Sequence, residues 1–283
     1  MKPAAFEYFA PGSLGEALEL LRQHGAAAKL LAGGQSFVPM ANFRVLRPQV
    51  VIDLNRIPAL GYICESGEGL ALGAMTRHRE IERSEVVRKN CPLMSEAVQW
   101  IGHAAIRNRG TLGGSLSHAD PAAEWPVAMV ALGATLVARS PRGERRIPAS
   151  QFFVALLATA LEPDEILVEI QVPAAPEGSG AAFVEVARRH GDFALVSVGA
   201  QVTLSAGRIT DVRLALGGVG AAPFDASALA KPVRDESAFA DLGKRIAAAI
   251  EPSEDLHASA EYRREVAAVL VPRALRAALR SAR

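Results

Sequence analysis

Cysteine, aromatic residues and long apolar runs are all scarce in this 283-residue chain. Its two cysteines, Cys64 and Cys91, form no C-x-x-C pair, and two thiolates cannot supply the four ligands that an iron–sulfur cluster normally needs. They are therefore interpreted as ordinary reduced thiols. The longest apolar stretch, residues 125–138, is too short to span a bilayer and is interrupted by Pro126 and Gly133. No membrane span is predicted.

A strong charge of either sign is also lacking. The formal net charge is +1, and no basic run is suited to tracking phosphates, which makes nucleic acid an unexpected partner. Residues 1–7 carry one positive charge and no apolar core, which does not fit a secretory signal. The sequence thus predicts a cytoplasmic protein.

The N-terminal residues predict a small α/β unit of about 55 residues. Ser13 and Glu16 fit a capping box that opens a helix, and Gly25 is the expected stop. Residues 29–32 and 49–54 have the apolar pattern of strands, and the second strand is almost entirely apolar, as in a sheet covered on both faces.

The middle of the chain predicts a mixed unit that ends in a domain boundary. Asp120 followed by Pro121 has the form of an N-cap and first helical position, which predicts a helix from there to about Leu132. The boundary is placed in the proline- and glycine-rich segment 173–180. The other predicted elements are strands at 69–74 and 165–172 and helices at 79–88 and 92–101.

The last hundred residues predict a sheet followed by helices. Three β-rich runs, 182–186, 194–204 and 209–219, are joined by turn-like connectors and predict a three-stranded antiparallel meander. Residues 227–283 are alanine-rich and predict two or three helices packed on that sheet. The overall prediction is an α+β protein with one domain at 1–175, divided into subdomains of about 1–55 and 56–175, and a second domain at 176–283.

A pair of glycines follows the first predicted strand, in the sequence Ala32-Gly33-Gly34-Gln35-Ser36. Without a Cβ, such backbone can approach a bulky anion, and Ser36 adds a hydroxyl donor, so the segment could hold a pyrophosphate. A plain turn is the competing interpretation. The segment is not the G-x-G-x-x-G of a dinucleotide-binding βαβ unit, which argues against nicotinamide binding in that manner.

A second glycine-rich run lies about 75 residues later. Gly110, Gly113 and Gly114 open the backbone again, and this run also offers polar groups to the hydroxyls or ring heteroatoms of a ligand. These polar groups belong to Thr111, Ser115, Asp120 and Glu124. Two such runs could close on one extended cofactor. The alternative is a glycine-rich connector with solvated arginines, Arg107 and Arg109.

Nothing else in the sequence indicates a catalytic centre. His103 and His118 flank the second glycine run, but neither has metal-ligand spacing, and we interpret them as loop-packing or capping groups. No Ser, His and Asp set and no Cys and His set suggests a nucleophilic triad. Trp100 and Trp125 are expected in the core or in an interface. We predict no catalytic side chain and no metal site.

The run Ala-Ile-Arg-Asn-Arg-Gly-Thr-Leu-Gly-Gly-Ser at 105–115, followed by His-Ala-Asp-Pro-Ala-Ala-Glu at 118–124, resembles the medium, FAD-binding subunit of the xanthine dehydrogenase family. This family of molybdenum hydroxylases includes carbon monoxide dehydrogenases and quinoline 2-oxidoreductases. The resemblance extends over essentially the whole chain, including the predicted hairpin at 188–194. It implies a PCMH-type FAD-binding domain in two subdomains, then a C-terminal domain of carbon monoxide dehydrogenase flavoprotein type with a three-stranded sheet and a helix bundle.

The resemblance also implies residue roles. The amides of Ala32–Ser36 would hold the FAD pyrophosphate, Thr111–Ser115 would face the cofactor, and Glu124 would bond to ribityl or nearby hydroxyls. The backbone near Ile166 would meet the isoalloxazine edge, and Phe193, where relatives often have tyrosine, would stack on the ring without a phenolic hydrogen bond. Gln35 stands where relatives frequently have histidine, so no proton transfer is assigned to it. The full expected set of FAD-binding residues is Leu31, Ala32, Gly33, Gly34, Gln35, Ser36, Ile101, Thr111, Leu112, Gly113, Gly114, Ser115, Asp120, Glu124, Ile166 and Phe193.

By the same resemblance, the substrate is hydroxylated at a molybdopterin cofactor in a large subunit. Electrons then pass through two [2Fe–2S] clusters in a small subunit to FAD on this chain, and from there to an external acceptor. The expected assembly is a dimer of heterotrimers, and the run at 106–109 leans toward an N-heteroaromatic substrate. Three alternatives are kept: the medium subunit of a carbon monoxide or aldehyde dehydrogenase, a stand-alone flavin oxidase, and a binding or assembly protein without cofactor.

Overall fold

Three main sheets organise the chain in the computed structural model, which describes residues 1–282. The first is a parallel sheet with strand order β1-β3-β2. Its unit contains β1 (Glu7–Phe9), α1 (Leu14–His24), β2 (Ala28–Leu31), α2 (Phe37–Asn42) and β3 (Val50–Asp53). The Ser13 hydroxyl accepts from the Glu16 amide at 3.2 Å and Gly25 ends α1 with φ +51°. The predicted first helix and the two predicted strands of this region are therefore confirmed.

The second sheet has five antiparallel strands in the order β4-β5-β10-β6-β7. The elements of this unit are β4 (Ile63–Ser66), β5 (Gly69–Gly73), α3 (His78–Arg83), α4 (Glu85–Asn90), α5 (Pro92–Trp100), α6 (Ala104–Arg109), α7 (Leu112–His118), α8 (Glu124–Leu132), β6 (Thr135–Ser140), β7 (Gly143–Pro148), α9 (Ala149–Phe152), β8 (Phe153–Ala155), β9 (Ala158–Thr159) and β10 (Ile166–Pro173). Strands β8 and β9 form a separate short hairpin.

Two predicted helices of this unit were wrong in detail. The helix expected at 79–88 is two helices, because Ser84 adopts an extended conformation and its hydroxyl caps α4 by accepting from the Val87 amide. The helix expected from Asp120 begins at Glu124 instead. Asp120 accepts from the Ala122 amide at 2.9 Å, which forms a local turn in place of an N-cap.

The C-terminal unit is a four-stranded antiparallel sheet in the order β11-β12-β13-β14, covered by helices. Its elements are β11 (Ser179–Val186), β12 (Val196–Ser205), β13 (Arg208–Gly217), β14 (Phe224–Asp225), α10 (Ser227–Ala230), α11 (Phe239–Ala249) and α12 (Ala260–Ser281). The predicted three-strand meander is confirmed, and the two-residue strand β14 extends it. No helix within residues 1–282 is both long and apolar enough to cross a membrane.

Helix α8 joins the two halves of the molecule. All nine of its residues are buried, and it packs on β12 and β13 of the C-terminal sheet as well as on α5 and β10. Trp125 and Val127 accordingly belong to the same apolar cluster as Phe183 and Ala215. A helix that is apolar on every side is stable only when it is covered on every side, which accounts for this central position.

A bulge in β10 directs its side chains to two different cores. The pairing of β10 with β6 shifts register between Leu167 and Glu169. Ile166 consequently packs with the N-terminal unit, whereas Ile170 packs with the central cluster around α8. The bulge thus leaves Ile166 where the N-terminal and central units meet.

Candidate functional site

The two glycine segments, Ala32–Ser36 and Thr111–Ser115, are in direct contact. A Cβ placed on Gly33 would lie 2.4 Å from the carbonyl oxygen of Arg109, and one on Gly114 would lie 3.2 Å from the Cβ of Ala32. Glycine at position 33 is therefore required for the approach to Arg109, whereas a Cβ on Gly114 would first meet the Thr111 hydroxyl oxygen of its own segment, at 2.6 Å. The sequence had suggested that these glycines admit a ligand; the structure adds a contact between the segments as a separate reason.

The second glycine segment is the first part of α7 and not a loop. Thr111 caps the helix, because its hydroxyl oxygen accepts from the Gly114 amide at 3.1 Å. The next amides are also paired: Leu112 donates to the Thr76 carbonyl at 2.9 Å, and Gly113 donates to the Ala74 carbonyl at 2.8 Å. These first amides of α7 are thus committed to the protein.

The first glycine segment is arranged differently. Within residues 1–282 the amides of Gly34, Gln35 and Ser36 donate no hydrogen bond, and all three residues line a cavity. The Gln35 carboxamide folds back on its own segment, where Nε2 donates to the Gly33 carbonyl at 2.9 Å. Three neighbouring amides and the Ser36 hydroxyl are therefore available to a phosphate group.

The cavity has a volume of about 590 Å³ and lies between the two halves of the molecule. All but two of the predicted site residues line it. Leu112 is fully buried beneath the cavity, and the Leu31 side chain lies beside Gly34 without lining it. The predicted residues that do line it are Ala32, Gly33, Gly34, Gln35, Ser36, Ile101, Thr111, Gly113, Gly114, Ser115, Asp120, Glu124, Ile166 and Phe193.

The C-terminal unit closes one side of this cavity with the turn before β12. Gly191, Asp192 and Phe193 line it, and the Phe193 side chain is 62% exposed. The turn is held against α5, because the rings of Trp100 and His190 lie 5.2 Å apart. An exposed aromatic residue thus lines the cavity on this side.

A buried pair of carboxyl groups lies at the junction of α8 and the C-terminal sheet. Glu124 lines the cavity with only 6% of its surface exposed, and burial raises its pKa to about 7. Burial and the nearby Glu124 charge raise the pKa of Glu185 to about 8. In the described part of the chain, neither carboxylate oxygen of Glu185 nor the hydroxyl of Ser197, its partner across the strands, forms a hydrogen bond.

Sequence reasoning missed His78, which lines the cavity beside the second glycine segment. Its Nδ1 accepts a hydrogen bond from Trp125 Nε1 at 3.1 Å, and a Cβ on Gly110 would lie 2.6 Å from its Nε2. Burial, followed by the charges of Arg77 and Arg107, lowers the pKa of His78 to about 3. The imidazole is neutral near pH 7. Its place after β5 could have signalled a role, since strand ends often carry functional side chains.

The two arginines before the second segment have structural contacts. Arg107 forms an ion pair with Glu82 at 3.1 Å and also donates to the carbonyls of Ile101 and Gly102. Arg109 contributes its backbone carbonyl to the contact with Gly33. His118 lines the cavity as well.

Comparisons with known proteins identify the family. Residues 4–175 match the family model described as FAD binding domain in molybdopterin dehydrogenase, and residues 181–278 match the CO dehydrogenase flavoprotein C-terminal domain. Subunit alpha of the 6-hydroxypseudooxynicotine dehydrogenase complex from Paenarthrobacter nicotinovorans is 42% identical over 288 residues, covering 100% of this chain and 97% of the relative.

Solved structures agree over the full length. Carbon monoxide dehydrogenase from Hydrogenophaga pseudoflava matches with a TM-score of 0.97 at 38% identity and covers 100% of both chains. Quinoline 2-oxidoreductase from Pseudomonas putida 86 matches with a TM-score of 0.94 at 36% identity, covering 100% of this chain and 99% of that chain. The predictions of the fold class, of FAD as the cofactor and of an oxidoreductase subunit are confirmed. The chain belongs to the family of FAD-binding medium subunits of molybdenum hydroxylases.

Proposed function

We propose that this chain holds FAD in the cavity between its two halves and relays electrons from iron–sulfur clusters of a partner subunit to an external acceptor. The observation that carries the proposal is the meeting of the two glycine segments with the Phe193 turn around one cavity. When bound, FAD supplies reversible one- and two-electron transfer. The chain itself binds, orients and shields the cofactor.

We assign the residue roles according to which backbone amides are hydrogen-bonded within the protein and which are not. The amides of Gly34, Gln35 and Ser36 hold the pyrophosphate, because their donors have no acceptor in residues 1–282. In the segment Thr111–Ser115, four residues face the cofactor through side chains and glycine Cα atoms, since the first amides of α7 are already paired, and the buried Leu112 supports them from the core. The remaining proposed binding residues are Leu31, Ala32 and Gly33 around the first segment and Ile101 and Asp120 along the wall.

The ring end of the cofactor is assigned to three residues from different parts of the chain. Glu124 bonds to ribityl or neighbouring hydroxyls, and its raised pKa lets the carboxyl act as donor or acceptor near pH 7. The backbone near Ile166 meets the edge of the isoalloxazine, and Phe193 rests on its face. No side chain is assigned as a general acid or base.

The proposed assembly is a dimer of heterotrimers in the cytoplasm. A large subunit with molybdopterin cofactor and a small subunit with two [2Fe–2S] clusters would accompany this chain. The name of the Paenarthrobacter relative as a subunit of a dehydrogenase complex supports a multi-subunit assembly. The division into domains at 1–175 and 176–283 is likewise a proposal, and the extents of the two family models support it.

An N-heteroaromatic compound is the proposed substrate of the complex. The quinoline 2-oxidoreductase match supports this class, while the carbon monoxide dehydrogenase match supports the alternative. Because the substrate would react in another subunit, residues of this chain do not choose between them. Purification of the complex from its native host, followed by assay on quinoline-like rings, carbon monoxide and aldehydes, would decide.

The same purification tests the electron-relay proposal. A molybdenum subunit and a cluster subunit should co-purify with this chain and FAD. A yellow monomer that oxidises a substrate unaided would contradict the proposal and favour the stand-alone oxidase.

A substitution tests the site without disturbing the contact between the glycine segments. Ser36→Ala should weaken FAD binding several-fold, because it removes about one hydrogen bond's worth of free energy, roughly 1 kcal/mol. Ser205→Ala, in an exposed position at the end of β12, is the matched control. Equal FAD dissociation constants for both variants, measured by flavin fluorescence, would show that Ser36 does not hold the cofactor.

A further inference from the structure

Arg77 connects the two glycine segments without lining the cavity. Its Nη1 donates to the carbonyl oxygen of Arg109, next to the second segment. Its Nη2 donates to Asn55 Oδ1, and Asn55 Nδ2 donates in turn to the carbonyl oxygen of Ala32 at 2.8 Å. The guanidinium of Arg77 is therefore linked to Ala32, the first residue of one segment, through the Asn55 side chain. It is linked directly to Arg109, which precedes the other segment.

Asn55 is held in place by residues of the N-terminal sheet. Asp53, at the end of β3, accepts from the Asn55 amide at 2.9 Å through Oδ1 and from the Tyr8 hydroxyl at 2.5 Å through Oδ2. Arg77 is in turn fixed by its backbone, since its amide donates to Glu80 Oε2 at 2.7 Å and it forms a β-bridge with Thr111. Both ends of the Arg77–Asn55 connection are thus anchored.

The charge of Arg77 suits an anion site. Its guanidinium donates to a backbone carbonyl and a carboxamide, which are neutral acceptors and do not cancel its charge. Arg77 is only partly exposed, and burial, followed by the charge of Arg109, lowers its pKa, although the carboxylates of Glu80 and Asp53 act in the opposite direction. A desolvated cation of this kind is stabilised when an anion binds nearby.

We propose that Arg77 and Asn55 are positioning residues for the pyrophosphate of FAD: they fix the spacing of the two glycine segments and place a positive charge behind them. The proposal rests on the proposed function, in which the Ala32–Ser36 amides hold that pyrophosphate. Arg77 acts through the segments and through its charge, so a direct contact with the cofactor is not required.

The experiment measures the dissociation constants of FAD and of riboflavin for the full-length chain after flavin removal. Arg77→Ala should weaken FAD binding about tenfold or more, because two hydrogen bonds from a charged donor are lost. Binding of riboflavin, which has no phosphate, should change less than threefold. A general structural role for Arg77 would weaken both flavins equally.

The matched control is Arg109→Ala, which removes a neighbouring positive side chain but keeps the backbone carbonyl that Arg77 uses. It should alter FAD binding less than threefold. Guanidinium chloride at low millimolar concentration should partly restore FAD binding to Arg77→Ala, whereas the same concentration of sodium chloride should not. Asn55→Ala should reproduce the selective loss of FAD affinity, and it replaces Arg77→Ala if that variant does not fold.

The outcomes separate the two proposals. If the unsubstituted chain binds no FAD, the proposed function fails. If it binds FAD and Arg77→Ala or Asn55→Ala binds it equally well, or loses FAD and riboflavin in parallel, the positioning role is overturned.

Discussion

Glu185 is unusual among the buried side chains because neither oxygen of its carboxyl group is hydrogen-bonded in residues 1–282. Burying a charge in this way costs free energy, so the group prefers to be protonated. The neighbouring Glu124 has the same preference. The pair therefore holds a proton at neutral pH that two exposed carboxyl groups would have released.

This arrangement predicts a dependence of stability on pH. The folded pKa of Glu185, about 8, is raised above its ordinary value of 4.5, so its contribution to stability is present below pH 4.5 and is lost as pH rises through 8. Glu185→Gln should remove this loss and stabilise the chain at pH 9 by an amount on the order of a few kcal/mol. The free energy of unfolding in urea, measured for both chains between pH 7 and 9, tests this prediction.

Two features keep this measurement specific. The lowered pKa of His78 destabilises the fold only as pH falls from 6.5 toward 3, outside that range. Glu177→Gln, an exposed substitution just before β11, should leave the pH dependence unchanged. If Glu185→Gln retains the same slope as the unsubstituted chain, Glu185 does not hold the proton, and Glu124, whose pKa of about 7 lies in the same range, accounts for the pH dependence.

At the scale of elements, α7 is a short helix whose position depends on its first turn. Its leading amides donate to Thr76 and Ala74, next to the end of β5, and its cap is the Thr111 hydroxyl. The helix is thereby fixed to the central sheet before any ligand is present. Gly113 is required for this contact, because a Cβ there would lie 2.7 Å from the Ala74 carbonyl oxygen.

Thr111→Val should therefore destabilise the chain by about 1 kcal/mol, the usual cost of losing an N-cap. The Gly114 amide would lose its acceptor while the side-chain shape stays nearly the same. FAD binding should weaken as well, because the second glycine segment is part of this turn. Thr210→Val, an exposed change on β13, serves as the comparison in urea unfolding, and equal stability of the two variants would show that the cap contributes nothing.

For the molecule as a whole, Cys91 reports on opening of the core, whereas Cys64 reports only on the surface. Cys64 is exposed on β4, whereas Cys91 is buried in the cluster that also contains Phe183 and Ala215, and burial raises its pKa to about 12. Only Cys64 should react quickly with a thiol reagent. Cys91 should react when the core shared by the two halves opens.

Binding of FAD to a cavity lined by both halves should suppress that opening. At about one hundred times its dissociation constant, FAD should stabilise the chain by about 2.7 kcal/mol and slow the reaction of Cys91 about a hundredfold. Cys64→Ser removes the fast reaction so that the slow one can be followed alone. A rate for Cys91 that is independent of FAD would mean that the core opens without disturbing the cavity.

Most elements could be predicted because their signals are local. The cap at Ser13, the stop at Gly25 and the β-rich runs of the C-terminal sheet are each recognised within a few residues, and the structure contains all of them. Asp120 was misassigned because an aspartate before proline forms a local turn as readily as a helix cap. The hairpin of β6 and β7 was missed although Gly133 ends α8 just before it, because β7 is polar and mostly exposed and lacks the apolar pattern of a strand.

Residue types and short-range spacing were sufficient to predict the α+β fold class, the glycine segments and the family resemblance. Four findings required the folded structure: that Gly33 must be glycine to approach Arg109, that the first amides of α7 are committed to Thr76 and Ala74, that His78 lines the cavity, and that Arg77 links the two glycine segments. These facts depend on contacts between residues distant in sequence. Such contacts follow from how sheets and helices pack, and no local pattern records them.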